Sequence, residues 1–83
     1  MHFWYLIYSM KVKVPNHATM RLVERGIDID NAKKVIRLSP KNKNTFDGSI
    51  KATGTLDDGK ILTIIYKTIS KKEVIIITGY YEN

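Results

Sequence analysis

Two spacings divide the chain. Between residues 16 and 38 apolar residues recur at steps of three and four, and from Ser49 onward the step is two. In the first region Ala18, Leu22 and Val23 share one side of a helical wheel. His17, Arg21, Glu24 and Arg25 fall on the other. Asn16 stands where a helix cap belongs, and Gly26 supplies a stop. Asp28 is placed to cap a second helix with Ile29, Ala32, Val35 and Ile36 as its apolar stripe, ended by Ser39-Pro40. "KNKNTFDG" reads as a polar loop.

"KVKV", closing at Pro15, reads as the end of a first strand, and "SIKATGTL", "KILTIIYKTI" and "EVIIITGYY" as three more. "DDGK" is a tight turn in which Gly59 takes the positive φ, and "SKK" makes the next. The order is β-α-α-β-β-β: an α+β domain with two helices packed on one antiparallel sheet. A three-residue loop at Asp57-Asp58-Gly59 sets Leu56 opposite Lys60. Ile50, Ala52, Leu62, Ile64 and Tyr66 then face the helices, and Lys51, Thr53, Thr63, Lys67, Thr78 and Tyr80 face away. The same register puts Ile61, Ile65, Val74 and Ile76 on the outer face, an apolar patch that calls for a cover: a partner chain, a second copy or the N-terminal segment.

The opening "MHFWYLIYSM" is apolar but far shorter than the roughly 20 residues that span a bilayer, and it lacks the marks of a signal peptide. No membrane association is expected, and the expected compartment is the cytoplasm. The 83 residues are expected to form one domain, with 1–9 an apolar strand or appendage and 10–80 the core. Without cysteine, and with two histidines far apart, the chain offers no disulfide and no metal site, and no cofactor is expected. Fourteen Lys and Arg against eight Asp and Glu give +6. Such an excess suits a polyanion, RNA first.

"NHATMRLVERGID" resembles the signature H-x3-R-x3-R-G-I of the family known as domain of unknown function 4258, carried here by His17, Arg21, Arg25, Gly26 and Ile27. The second half is similar as well, at Gly59 to Leu62 and at "VIIITGY", Val74 to Tyr80. That family resembles RelE- and BrnT-like toxins, small ribonucleases of β-α-α-β-β-β order neutralised by an antitoxin. The resemblance implies the fold and suggests a metal-independent endoribonuclease of a toxin–antitoxin system. The alternative is a non-catalytic protein- or RNA-binding module of the same fold. The partner would be an antitoxin, or a second copy, on the outer sheet face.

Metal-free RNA cleavage needs a base for the 2′-hydroxyl, an acid for the leaving 5′-oxygen and cations on the phosphorane. His17 is the candidate base, since imidazole titrates near neutrality. Arg21 and Arg25 suit phosphate contacts, or only a solvated helix face. RelE-like toxins use basic residues on the sheet and a tyrosine near the C-terminus, which here implies Lys51, Lys67 and Tyr80. Lys33, Lys34 and Arg37, continued by Lys41 and Lys43, are either a phosphate footprint or a solvated helix end. If they are a footprint, replacing Lys33, Lys34 and Arg37 together by Gln flattens the salt dependence of RNA affinity by about two to three log–log units. Anisotropy titrations across a salt series measure it, and an unchanged slope assigns those charges to solvation.

Overall fold

In the computed structural model, which describes residues 11–44 and 46–82, strand β1 (Lys11–Lys13) leads through Pro15 into helix α1 (Asn16–Glu24). The notional segment 1–9 lies outside the described residues. Pro15, at φ −61°, takes the cap position itself, and no side chain closes the helix start. Asn16 is thus the first helical residue rather than the expected cap. Thr19 ties this end instead: its amide donates to the Pro15 carbonyl at 2.8 Å and its hydroxyl to Val14 at 3.3 Å.

Gly26 ends α1 as its type predicts. At φ +68° it lets its own N–H reach the Val23 carbonyl at 3.0 Å and the Ile27 N–H reach Leu22 at 2.8 Å. These paired bonds make a Schellman stop, with Leu22 and Ile27 both in the core below it. Helix α2 (Ile29–Leu38) starts at Asp28, whose carboxylate accepts the Asp30 amide at 2.8 Å. Such a cap is worth about 1 kcal/mol. Ala32, Val35 and Ile36 are buried as the periodicity requires. Val23 is not: it is 66% exposed. The sheet takes a narrower stripe of α1, Ala18 and Leu22, and Val23 stands about 100° away from Leu22 around the helix.

The sheet has five strands in the order β1-β5-β4-β3-β2, with β1 parallel to β5 and the other pairs antiparallel. Strand β2 (Lys41–Lys43) falls inside the stretch expected to be loop and pairs with β3 (Ile50–Thr55), Lys41 beside Ala52. All three of its side chains are exposed. An edge strand needs only its backbone to pair, and lysines guard such an edge, so no apolar alternation marks it in the sequence. The next hairpin is as expected. Leu56 donates to the Lys60 carbonyl at 2.8 Å, Gly59 has φ +88°, and Ala52, Leu62, Ile64 and Tyr66 are buried beneath the helices.

Between β4 (Ile61–Ser70) and β5 (Glu73–Tyr81) the register shifts twice. Ile69 is an extra residue on β4 and Ile77 an extra residue on β5, so the two bulges cancel at the ends. Thr63 still pairs with Tyr80 and Ile65 with Thr78, which keeps Thr78 and Tyr80 on the outer face. Between the bulges Tyr66 pairs with Ile76 and Thr68 with Val74. Val74 and Ile76 therefore join the core, 2% and 0% exposed, and do not lie on the outer face as uniform pairing would have it. Among the described paired residues, Ile61, Ile65 and Ile75 lie on the outer face, each half-buried.

At Gly79 the sheet and α1 approach closely. A Cβ there would stand 2.6 Å from Ile64 Cδ1, 3.0 Å from Leu22 Cδ2 and 3.3 Å from the Thr63 carbonyl oxygen. Gly79→Ala is expected to cost about 1–3 kcal/mol through overpacking. Thermal melting should show a drop of several degrees, and an unchanged Tm would mean that α1 does not seat against β5 as described.

Candidate nucleic-acid interface

His17, Arg21 and Arg25 project from α1 at four-residue steps, all three exposed. His17 sits in the first turn and Arg21 in the last. Neither makes a hydrogen bond or ion pair among the described residues. Arg25, just past the helix, has a partner. Its Nη1 donates to the Gly79 carbonyl at 2.7 Å and to the Thr78 hydroxyl at 3.2 Å. β1 pairs with β5 only as far as Ile75, and Arg25 thus closes an edge that β1 leaves open. The Tyr81 hydroxyl donates to the Gly26 carbonyl at 3.1 Å, and the Lys60 ammonium lies 5.2 Å from the Tyr81 ring centre.

Tyr80 belongs to the other face. It pairs with Thr63 on the side away from the helices, half-buried, while Lys51 and Lys67 stand exposed on the same face opposite Ile65 and Ile75. The fold therefore brings Arg25 to the strand that carries Tyr80. It leaves His17 two helical turns from Arg25, about 12 Å along the axis. The four do not form one cluster.

A polar chain runs beside Tyr80 that the sequence did not announce. The Thr53 and Thr63 hydroxyls are 3.0 Å apart, and Thr63 donates to Glu82 Oε2 at 2.6 Å. Thr63 is fully buried, so its hydroxyl aims the exposed Glu82 carboxylate over the outer face. The threonines are visible in the alternating strand pattern. Nothing in the sequence singles out Glu82, which lies one residue past β5.

On α2, Lys33 and Arg37 are half-buried and Lys34 exposed, and with Asp30 and Leu38 they line a hollow of about 290 Å³. A larger hollow of about 420 Å³ lies between α2 and the β3–β4 turn, but Asp57 and Asp58 face Lys34 across it and disfavour an anion. Lys41 turns back, its ammonium donating to the Ser39 carbonyl at 2.7 Å, and burial lowers its pKa. The basic run is thus dispersed over a helix, a helix end and a sheet edge. Among the described residues no group of His, Cys, Asp and Glu is assembled to hold a metal, and no helix is long and apolar enough to cross a membrane.

A crystal structure of the Brucella abortus ribonuclease toxin BrnT has a similar fold, with a TM-score of 0.70 over 89% of this chain and 97% of that one, at 14% sequence identity. No family model matches the chain. No curated protein matches it either. At that identity the likeness is one of fold: two helices on a five-stranded, mostly antiparallel sheet.

Thr63→Val removes the central hydroxyl at nearly constant shape. It is expected to lower stability by about 1–2 kcal/mol and to free the Glu82 side chain. Urea unfolding measures the first and side-chain carboxyl NMR the second; a variant as stable as wild type would show that the chain of hydroxyls carries no weight.

Proposed function

We propose that the chain is an RNA-directed, toxin-like domain and a metal-independent endoribonuclease acting in the cytoplasm, with α1 and the adjoining edge of β5 as its RNA-facing surface. The observation that carries this is the exposed pair His17 and Arg21, one turn apart and without partners among the described residues, on a fold like that of a ribonuclease toxin. In this reading the neutral His17 imidazole takes the proton of a 2′-hydroxyl, whose oxygen forms a bond to the adjacent phosphorus. The bond from phosphorus to the 5′-oxygen breaks, leaving a 2′,3′-cyclic phosphate, and the released 5′-oxygen takes a proton from solvent water to become a hydroxyl. Arg21 neutralises charge on the phosphorane. Arg25, already bonded to Gly79, fixes the strand edge and offers its remaining N–H groups to the neighbouring phosphate. Tyr80, Lys51 and Lys67 receive the RNA where it passes onto the outer face.

One observation favours the second reading, a non-catalytic RNA- or protein-binding module. Tyr80 lies across the sheet from the helices, so among the described residues no acid accompanies His17. Within the catalytic reading, the Glu82 carboxylate beside Tyr80 offers an alternative base on the other face. In either reading Ile61, Ile65 and Ile75 are proposed as the contact for an antitoxin-like protein or a second copy.

Purified protein incubated with single-stranded RNA in excess chelator is expected to produce cyclic-phosphate ends. His17→Ala should lower the rate by about 10²–10⁴-fold with the fold intact. Cleavage kept by His17→Ala but lost in Glu82→Gln moves the base to the outer face. RNA bound but intact selects the binding module.

A further inference from the structure

Phe46 is 97% exposed, more than any other large apolar side chain among the described residues. Its turn is not loose. The Phe46 amide donates to Asn44 Oδ1 at 2.9 Å, the Gly48 amide to the Asn44 carbonyl at 2.9 Å, and the Asn44 amide to the Ser49 carbonyl at 2.7 Å. Asp47 Oδ1 accepts both the amide of Ser49, at 2.9 Å, and its hydroxyl, at 2.8 Å, and Ser49 is buried. Gly48, at φ +76°, completes the reversal. The turn is built to hold a phenyl ring in water, where an unpartnered apolar ring gains nothing.

Its surroundings are basic. Lys51 follows the turn on the outer face, while Lys43, which leads into it, pairs with Ile50 on the helix side. Lys67, one residue beyond the pair Ile50–Tyr66, lies close enough for its charge to act on Asp47. All three lysines are exposed. The one acid of the turn is occupied: donation from the Ser49 amide, then from its hydroxyl, holds the Asp47 carboxyl below its ordinary pKa, with Lys67 contributing less. An exposed aromatic face on a hydrogen-bonded turn, with exposed ammonium groups beside it, matches the two components of a single strand of nucleic acid, a base with a π-face and a phosphate backbone. A protein-docking residue would sit on a broader apolar surface, and Phe46 has polar neighbours on both sides in Asn44 and Asp47.

We infer that Phe46 is a base-stacking residue at the far end of the proposed RNA path, where Lys51 and Lys67 on the outer face receive the phosphates. β2 and β3 form the end of the sheet opposite β1, so this contact is remote from α1 and engages nucleotides well away from any bond cut there. The inference rests on the proposed RNA-directed function for its choice of ligand, and its test reads binding rather than cleavage. A labelled single-stranded oligonucleotide with 2′-deoxy sugars, which cannot be cut by 2′-hydroxyl attack, is titrated against the full chain and its variants at one salt concentration.

Phe46→Ala and Phe46→Leu are expected to weaken binding about 5- to 150-fold, the span of one lost stacking contact. Phe46→Trp should restore it and, with the wild-type Trp4 signal as blank, should show indole quenching as the oligonucleotide saturates. The matching duplex, whose bases are already stacked, should bind all four proteins alike. Equal single-strand affinity for wild type and Phe46→Ala overturns the inference, as does a Phe46→Leu variant that binds like wild type, an unquenched indole, or a wild type that does not bind. Each leaves chelator-resistant cleavage to be judged separately. Intact RNA in chelator with Phe46-dependent binding defeats the catalytic reading alone.

Discussion

The close approach of α1 to β5 at Gly79 is the constraint on which the rest of the molecule depends. A Cβ here would press on Ile64, Leu22 and the Thr63 backbone, so glycine lets Leu22 settle against the sheet at this point without displacing them. Two hydrogen bonds then lock the junction from opposite sides: Arg25 holds the Gly79 carbonyl, and Tyr81 holds the Gly26 carbonyl. With that lock closed, the direction of α1 is set, and with it the solvent-facing positions of His17 and Arg21. The Schellman stop at Gly26 makes the lock possible by turning the chain immediately after Arg25.

The same junction divides the polar residues between two surfaces. On one, α1 offers an imidazole and a guanidinium without partners among the described residues. On the other, the outer face of the sheet carries Tyr80, Lys51, Lys67 and the Glu82 carboxylate aimed by Thr63. Arg25 is the residue that joins them, because its guanidinium reaches round the strand edge to Thr78, a side chain of the outer row. A strand of RNA laid along α1 would meet that edge next. The core does not distinguish these uses: Leu22, Ile36, Leu62, Ile64 and Ile76 are fully buried whichever surface acts.

Much of the fold was legible because short-range chemistry determined it. Asp28 as a cap, Gly26 as a stop and Gly59 in a three-residue hairpin are each decided by a few adjacent residues, and each stands as expected. What failed depends on neighbours distant in the chain. Two bulges that cancel leave both ends of the β4–β5 pairing as uniform alternation predicts, and reverse Val74 and Ile76 between them. A run of Val and Ile looks the same on either face, so no residue type marked the shift. β2 escaped notice because an edge strand of Lys, Asn and Lys has no apolar alternation to show. For the candidate site, the four-residue spacing on α1 was visible at once. That Arg25 would hold a carbonyl on β5, and that Glu82 would be held by Thr63, required the packing of elements more than fifteen residues apart.

The account holds that α1 and the adjoining edge of β5 form one RNA-facing surface. Amide chemical shifts of the full chain, followed during titration with a 2′-deoxy-substituted RNA analogue, test this most directly. Residues 16 to 26 and 78 to 82 are predicted to shift together and to saturate at a single Kd. Shifts confined to α2 and the distant turn, with both of those stretches unmoved at saturation, would contradict it.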